Sequence, residues 1–301
     1  MRRRSIRLGI CLLLAAMCMS VAALAESSRQ YTQQCAAVGT VAALAPMQPS
    51  APERQGMQRI ASYSTAFVTS SQDRCYNIAL ATAPFDWLVV EPGQSISFNA
   101  VVGPRTHERG FRAAKVIVAG EYVSGVGGGV CQVSTTLYNA WIRAGLCVEQ
   151  VRGHSLPASY CAASLDATVS ECIDLVMRND STHPVTVHGV VKDKKVTFEI
   201  YGTPSGYTYE IESKILQYTP PPPVVTQYVD TLQGLGQICT DEQGPYVQLR
   251  APKQGLLSEA WTVCRAQDGR VVYRNKLRSD RYLGMGAIYA RVGTPMQVQP
   301  T

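Results

Sequence analysis

The sequence predicts an α+β fold in which a central helix packs against antiparallel strands and a small all-β domain follows. Apolar residues between Val130 and Ala144 recur at helical spacing, and Gly145 ends the pattern. Strand-like segments cluster after this helix and do not alternate with further helices, which favours α+β over repeated βαβ units. A second series of short β-like segments follows the four prolines at 220–223, a composition typical of a stiff spacer.

The first 25 residues predict a secretory signal peptide. Four arginines precede an apolar segment from Leu8 to Ala23, and Ala23-Leu24-Ala25 has the small-x-small form of a cleavage site. An uncleaved membrane anchor is the alternative. No later segment is long and apolar enough to span a bilayer. We therefore expect an exported protein, extracellular or associated with the cell wall, without a membrane span once the signal is removed.

The charge of the chain does not indicate a nucleic-acid partner. The formal net charge of +6 comes from 28 basic and 22 acidic residues. Four of the basic residues and no acidic residue lie in the predicted signal peptide, so the remainder is close to neutral. Basic residues do not form a stripe with interleaved aromatic residues, which nucleic-acid binding would favour.

The cysteines predict disulfides and no metal site. Eight remain after the signal peptide: Cys35, Cys75, Cys131, Cys147, Cys161, Cys172, Cys239 and Cys264. An exported chain can oxidise them, and Cys239 and Cys264 could form one pair. Their even number does not decide whether Cys131 is paired or free. Because no cysteines or histidines have the spacing of a zinc site, we expect no metal and no other cofactor.

The chain after the signal peptide is predicted to have four parts. Residues 26–57 are rich in Ala, Ser, Gln and Pro, which predicts a linker. Residues 58–203 form the main domain, residues 204–223 a Pro-rich linker, and residues 224–296 a small all-β module whose Asp268-Gly269 predicts a hairpin turn. The elements expected in the main domain are, in order, a strand over 60–68, a helix over 73–83, strands at 88–90 and 95–98, a hairpin over 115–123, the central helix, strands over 147–152 and 168–177, and a closing hairpin of 184–191 and 195–201.

The start of the central helix is the predicted centre of chemistry. Gly127, Gly128 and Gly129 permit close approach of the backbone, and Cys131 then falls in the first helical turn. Unpaired amides and the helix dipole favour a thiolate at that position. Nucleophilic cysteines use such positions, although a small buried structural thiol can occupy the same place.

A histidine is expected to reach this cysteine. The helix runs about 21 Å away from Cys131, and a strand of about seven residues returns about 23 Å, so His154 arrives level with the thiol if the strand packs back on the helix. Asp166 precedes the next predicted strand. The three residues then form a candidate nucleophile, base and orienter. Alternatively, His154 caps its own loop and Asp166 satisfies its own backbone.

Four further residues are candidates for substrate binding. Gly128 and Gly129 leave the backbone open to a substrate, and the amides of Cys131 and Gln132 are placed to form an oxyanion hole. Arg105 follows Gly103-Pro104 in a charged loop, where it is the best candidate to clamp a substrate carboxylate. Charged loop residues are also commonly just solvated.

Several motifs of the chain resemble the VanW family. They are Pro92-Gly93-Gln94-Ser95-Ile96-Ser97-Phe98-Asn99, Val102-Gly103-Pro104-Arg105-Thr106, the segment from Gly127 to Ala140, His154-Ser155-Leu156-Pro157 and Glu199-Ile200-Tyr201-Gly202. The resemblance covers roughly residues 58–203. The family is named from a glycopeptide-resistance gene cluster and has no settled biochemical activity, so the resemblance implies a cell-envelope protein but supplies no reaction.

The C-terminal region has a weaker resemblance. Residues 271–282 and 291–294 are similar to the five-glycine extracellular domain that often follows VanW domains, although the earlier glycines match poorly. Such modules are adhesive, bind glycans or peptidoglycan, and carry no catalytic residues. Nothing between 203 and 301 indicates chemistry.

Two functions remain open from the sequence. The first is an exported cell-envelope protein that binds or acts on peptidoglycan-type cell-wall material or glycan. The alternative is a Cys-His thiol-dependent hydrolase or acyl-transferase acting on peptidoglycan stem peptides, with a layout similar to papain-like and NlpC-type peptidases. They differ at Cys131, because a catalytic thiol must lie near His154 and a structural one would be buried or paired.

Overall fold

The computed structural model describes residues 58–118 and 120–293. The predicted signal peptide and the predicted linker over 26–57 lie outside the described residues. The described residues belong to one compact unit that spans Ala45–Thr301. Within it, the predicted α+β class is confirmed, because a few helices accompany mostly antiparallel strands in several sheets.

The first two thirds of the described chain contain all of its α-helices. The elements are β1 (Arg59–Ala66), α1 (Gln72–Thr82), a 3₁₀ turn (Ala83–Phe85), β2 (Leu88–Val90), β3 (Ser95–Ser97), α2 (Phe98–Val102), β4 (Ala113–Val118), β5 (Glu121–Val126), α3 (Val130–Arg143), β6 (Cys147–Gln150), β7 (Val176–Arg178), β8 (Val185–Lys192) and β9 (Lys195–Tyr201). The last third is all β. Its strands are β10 (Thr208–Thr219), β11 (Val225–Val229), β12 (Ile238–Asp241), β13 (Gly244–Arg250), β14 (Gly255–Arg265), β15 (Val271–Tyr282) and β16 (Ile288–Val292).

The central helix α3 is buried on nearly all sides. Its apolar residues pack towards β1, β9 and α1, and Leu137 and Trp141 are fully enclosed. Polar residues on the same helix are buried too, which requires hydrogen-bond partners. Ser134 Oγ donates to the carbonyl of Ala167 at 2.6 Å, and Asn139 Nδ2 donates to the carbonyl of Leu165 at 2.6 Å. The polar side of α3 therefore holds the chain at 165–167.

An antiparallel sheet with the order β1-β9-β8-β2 covers the other side of the core. The predicted closing hairpin forms its centre, with β8 and β9 joined at Lys192↔Lys195. Phe198 of β9 meets Phe85 edge to face, and Phe85 stacks on Phe98. Alternate burial along β9 matches the period of two that a half-buried strand requires.

The strand that was expected over 168–177 is mostly a loop. Only Val176–Arg178 is a strand, and it pairs with β3 and β6. Ser170 explains the difference, because its side chain accepts hydrogen bonds from the amides of Cys172 and Ile173 and its amide donates to the carbonyl of Ile173. A serine that satisfies neighbouring backbone in this way favours a turn over a strand. Strand β6 likewise ends at Gln150, two residues before its predicted end.

The predicted Pro-rich linker over 204–223 is largely a strand. Residues Thr208–Thr219 form β10, which pairs with β14 in a register that places Tyr209 opposite Cys264. Polar and partly buried positions alternate along its first half, as expected for a strand with one covered face. Residues 204–207 and the four prolines at 220–223 remain outside regular structure. Strands β10, β14 and β15 make one sheet, and the predicted Asp268-Gly269 turn joins the last two.

This sheet packs directly on the loop that follows β6. Ser258 Oγ lies 2.7 Å from Ser164 Oγ, and the amide of Ser164 donates to the Tyr282 hydroxyl at 2.7 Å. Ser213 Oγ donates to the carbonyl of Ala163 at 2.6 Å. Ser164, Ser258 and Tyr282 are buried. These contacts differ from the predicted organisation, in which the linker would separate two units without a common core.

The disulfide expected between Cys239 and Cys264 is absent. Six cysteines of the described ranges are free thiols: Cys75, Cys131, Cys147, Cys161, Cys239 and Cys264. Cys239 lies on β12 and Cys264 on β14, and these strands belong to different sheets. Among all residues that the structure describes, no helix has the length and apolar character needed to cross a bilayer.

Candidate thiol site

The glycine turn before α3 is shaped by close packing. Gly127 and Gly129 have φ values of 81° and 110°, which favour glycine. A Cβ on Gly128 would lie 2.7 to 2.8 Å from the backbone carbonyl group and Cβ of Ala114, so Gly128 is pressed against β4. Gly128 is buried, and its carbonyl accepts a hydrogen bond from Asn77. Packing therefore explains why position 128 is a glycine. From the sequence, Gly128 was predicted to bind substrate.

Cys131 lies in the first turn of α3, as predicted. Its Sγ is 3.4 Å from the carbonyl oxygen of Val169, 3.5 Å from the amide nitrogen of Val169, and 3.7 Å from Thr168 Oγ1. The thiol is therefore enclosed on one side by the loop that was expected to be a strand. The amide and the hydroxyl can donate to a thiolate, which stabilises that form.

His154 and Asp166 lie beside this thiol. His154 Nδ1 is 2.6 Å from Asp166 Oδ2, and the backbone amide of His154 donates to the same oxygen at 2.6 Å. The His154 side chain also interacts with the Cys131 thiol, since each of the two groups shifts the pKa of the other. Because Nδ1 faces the carboxylate, Nε2 is the nitrogen left for the thiol. The structure thus brings together the three residues that the sequence proposed as nucleophile, base and orienter.

The pKa values of the three groups are shifted in concert. Burial raises the pKa of the Cys131 thiol, but the hydrogen bond and charge of His154, with Val169 and Thr168, lower it below the ordinary value. Burial lowers the pKa of His154, but hydrogen bonds to Asp166 and Cys131 and their charges raise it to about 9. Burial raises the pKa of Asp166, and His154 and Tyr282 outweigh it, so the pKa is lowered. All three shifts favour a thiolate, an imidazolium and a carboxylate.

Strand β15 supplies a second layer around Asp166. The Tyr282 hydroxyl donates to Asp166 Oδ1. Arg278 Nη1 donates to the backbone carbonyl of Asp166 at 2.7 Å, and its Nη2 pairs with Asp280 at 2.7 Å. The side chains of His154 and Asp166 are only 6% and 1% exposed. The sequence had indicated no chemistry beyond residue 203. Polar residues at the alternating positions 278, 280 and 282 are the sequence signal from which this layer could have been predicted.

The predicted oxyanion hole is only partly available. The amide of Gln132 donates to the carbonyl of Gly129 at 3.0 Å, so it is already used. The buried side chain of Gln132 bonds Thr65 Oγ1 at 3.0 Å, the carbonyl of Ala66 at 2.9 Å and Arg74 at 2.8 Å. Gln132 thus ties α3 to β1, and the amide of Cys131 is the remaining candidate of the predicted pair.

Arg105 lies against the glycine turn, as a substrate clamp requires. Its Cβ and Cγ would be 3.0 and 3.1 Å from a Cβ on Gly127. Its Nη1 donates to Asn99 Oδ1 at 2.7 Å, and Asn99 in turn donates to the carbonyls of Ser170 and Ile173. Arg105 therefore bridges the turn before α3 and the loop that contacts Cys131.

A cavity in the described part of the chain lies away from these residues. It measures about 580 Å³ and opens near the other end of α3, where Arg59, Arg143, Asp180 and Tyr209 are among its lining residues. None of Cys131, His154 and Asp166 lines it. Within the described ranges, no group of three or more His, Cys, Asp or Glu residues could hold a metal ion.

Comparisons with known proteins agree with the motif-based resemblance. A family model described as VanW like protein matches residues 73–201. The chain is 46% identical over 113 residues to the uncharacterized protein YoaR of Bacillus subtilis, which is 38% of this chain and 37% of that protein. It is 26% identical over 154 residues to the Vancomycin B-type resistance protein VanW of Enterococcus faecalis, which is 49% of this chain and 56% of that protein.

The chain thus spans less than two thirds of the length of both relatives. A solved structure titled Crystal structure of HP0197-G5 aligns with 29% of this chain and 99% of its own, at 20% identity and a TM-score of 0.15, which is too low to assign a fold. The β-rich region after residue 203 is present, and its five-glycine character stays a prediction. The family match covers the helix α3, the glycine turn and all three residues of the thiol site, so residues 73–201 are a VanW-like domain.

Proposed function

We propose that this VanW-like domain is a thiol-dependent acyl-transfer module of an exported cell-envelope protein, acting on stem peptides of peptidoglycan-type cell-wall material. The observation that carries the proposal is the row Cys131–His154–Asp166, in which His154 Nδ1 lies 2.6 Å from Asp166 Oδ2 and His154 lowers the pKa of the thiol. A nucleophile, a base and an orienter in this order make a thiol reactive towards carbonyl carbon. The cell-wall substrate is proposed because one of the relatives is named for vancomycin resistance.

The first half of the reaction forms an acyl-thiol. The Cys131 thiolate attacks the carbonyl carbon of an amide, and the amide of Cys131 is placed to donate to the oxyanion. When the C–N bond breaks, His154 Nε2 gives its proton to the leaving nitrogen, which departs as an amine. A C–S bond has replaced the C–N bond, and His154 is neutral.

The second half restores the thiolate. Neutral His154 takes a proton from water or from an acceptor amine, which attacks the thioester carbonyl. The C–S bond breaks, and the product is a carboxylic acid for water or a new amide for the amine. Asp166 remains ionised throughout, because it holds the imidazole ring and stabilises its charged form.

A binding or scaffold protein is the second candidate. Val169 and Thr168 enclose Cys131 on one side, and the cavity of about 580 Å³ lies elsewhere. Both features fit a structural thiol. In that case, the domain contacts cell-wall material and the β-rich region adds avidity.

One experiment separates these functions. The full chain is incubated with purified bacterial peptidoglycan, and soluble products and new amino termini are identified by mass spectrometry. Acyl transfer predicts products that disappear in Cys131→Ser. Cys147→Ser is the matched control, because Cys147 lies at the far end of α3, starts β6 and accepts a hydrogen bond from Arg178. The binding function would be supported instead if wild type and Cys131→Ser sediment equally with the same peptidoglycan and no new amino termini appear.

A further inference from the structure

Two arginines flank the glycine turn that leads into Cys131. The Cγ of Arg74 would lie 3.1 Å from a Cβ on Gly129, and the Cγ of Arg105 would lie 3.1 Å from a Cβ on Gly127. The apolar stems of both side chains therefore pack on glycines of the same turn. Arg74 comes from α1 and Arg105 from the loop after α2, so separate parts of the fold place them there.

Both guanidinium groups are held by neutral oxygens. Arg74 donates to Ser70 Oγ and to Gln132 Oε1, each at 2.8 Å. Arg105 donates to Asn99 Oδ1 at 2.7 Å and to the carbonyl of Gly103 at 3.4 Å. These bonds fix the orientation of the two side chains but bring no negative charge into direct contact with them.

Neither arginine forms an ion pair with a carboxylate in the described part of the chain, whereas nine other arginines do. Arg74 and Arg105 are also half-buried. A partly desolvated guanidinium without a negative partner is unfavourable, so such groups are commonly found where a protein binds an anion.

The thiolate accounts for only part of this positive charge. Burial lowers the pKa of Arg74 and of Arg105, and the negative charge of Cys131 acts in the opposite direction on both. Both cations therefore lie within electrostatic reach of the thiolate. His154 already balances that thiolate directly. Asp174 and Glu171 act on Arg105 in the same direction as the thiolate, but neither forms an ion pair with it, so both guanidinium groups can still bind an anion directly.

We infer that Arg74 and Arg105 form an anion subsite next to Cys131, and that the substrate carries a carboxylate close to the acyl group that the thiol attacks. A peptide whose reacting bond lies near its free carboxyl end has this chemistry. Arg105 is the principal ligand, since its bonds to Asn99 and Gly103 use only Nη1. This inference rests on the proposed thiol chemistry and adds to it the charge of the substrate.

The test compares an anionic and a neutral reagent of nearly the same size. The native full chain is alkylated with iodoacetate and, separately, with iodoacetamide, and the rate at Cys131 is followed by mass spectrometry of its peptide. The quantity of interest is the ratio of the two rates. A change in the thiolate fraction affects both rates equally and cancels in the ratio. The ratio at Cys147 in the same molecule serves as the reference.

We expect the ratio at Cys131 to exceed that at Cys147 by about tenfold, which corresponds to about 1.4 kcal/mol. Arg105→Met should remove most of this preference, Arg74→Met part of it, and Arg105→Lys should retain part. Arg112→Met is the matched control and should leave the ratio unchanged, because Arg112 pairs with Asp73 and stacks on Tyr76.

Two results overturn the inference, and they have different meanings. If Cys131 reacts readily with iodoacetamide but its ratio equals that of Cys147, or Arg105→Met leaves the ratio unchanged in a folded protein, the anion subsite is wrong and the thiol chemistry survives. If Cys131 reacts with neither reagent until the protein unfolds, the proposed function fails and the subsite fails with it.

Discussion

Cys131 and Cys161 are two thiols whose pKa shifts differ in sign: Cys131 interacts with the His154 that Asp166 holds, whereas the charge of Asp166 acts directly on Cys161. His154 lies between Asp166 and Cys131, and the pKa of Cys131 is lowered although burial opposes this. Cys161 has no such histidine, and burial together with the charge of Asp166 raises its pKa. Burial therefore raises the pKa of Cys161 with the repulsion of Asp166 adding to it, whereas the imidazolium that Asp166 stabilises lowers the pKa of Cys131.

The largest expected effect comes from removing the charge of Asp166. Asp166→Asn keeps the shape of the side chain but no longer stabilises the imidazolium, so we expect acyl transfer to fall about 10²-fold or more. The two thiols should respond in opposite directions, with the pKa of Cys131 rising and that of Cys161 falling. Thiolate absorbance and peptide-resolved alkylation measure both in one sample. A parallel shift of the two pKa values would break the comparison.

A smaller effect is expected from the layer behind Asp166. Tyr282→Phe removes the hydroxyl that donates to Asp166 Oδ1 and accepts from the amide of Ser164. Leaving these buried groups unsatisfied should lower the free energy of unfolding by about 1–3 kcal/mol. The loss of a donor should also raise the pKa of Asp166 and slow alkylation of Cys131 at pH 6.

Urea unfolding and the alkylation rate are the two measurements for Tyr282→Phe. Tyr218→Phe is the control, because Tyr218 is an exposed residue on β10 of the same sheet. If stability falls but the alkylation rate of Cys131 does not change, β15 contributes to folding and not to the reactivity of the thiol.

A third prediction concerns the pH dependence of stability. The pKa of His154 is raised to about 9 in the folded protein, against about 6.5 unfolded. Taken alone, the raised pKa of His154 adds to the free energy of unfolding. This contribution is fully present below pH 6.5 and is lost as the pH rises towards 9. In wild type, folding releases one proton from Cys131 and binds one at His154. The two contributions to the pH dependence of the free energy of unfolding therefore offset each other. In Cys131→Ser, His154 loses the contribution of Cys131 but keeps that of Asp166, so the free energy of unfolding should fall above pH 6.5 by at most about 1.4 kcal/mol per pH unit, over a range that ends below pH 9.

Chemical denaturation at pH 6.5, 7.5 and 8.5 checks this prediction. Cys161→Ser should keep the shallow wild-type profile between pH 6.5 and 7.5, where Cys161 is protonated in the folded state and largely protonated in the unfolded state. A steep decline in wild type would mean that Cys131 and His154 do not form a thiolate–imidazolium pair, whereas a flat profile in Cys131→Ser would mean that Asp166 alone does not raise the pKa of His154.

Local patterns were sufficient to predict the helix start and the closing hairpin. The period of apolar residues from Val130, the glycine turn and the alternation in β9 each depend on neighbours in sequence. The approach of His154 to Cys131 was also predictable, because the rise per residue of a helix and of a strand sets how far the chain runs away from Cys131 and how far it returns.

Other features depended on partners that are distant in sequence. Gly128 is fixed by Ala114, and the amide and side chain of Gln132 are already used within the fold, so neither could be assigned from the local motif. The loop at 168–175 is a turn because Ser170 bonds its own backbone. The contact of Tyr282 with Asp166 joins residues 116 positions apart, and only tertiary packing reveals it.

The most direct test of the central claim is the pH profile of alkylation of Cys131 and Cys161 by iodoacetamide in the native full chain. The thiolate–imidazolium account predicts that Cys131 reacts below pH 7 and titrates below the ordinary thiol value of about 8.5, whereas Cys161 reacts only at much higher pH. His154→Ala should move the Cys131 profile upwards and leave that of Cys161 nearly unchanged. If Cys131 stays inert until the protein unfolds, or titrates no lower in wild type than in His154→Ala, the account is contradicted.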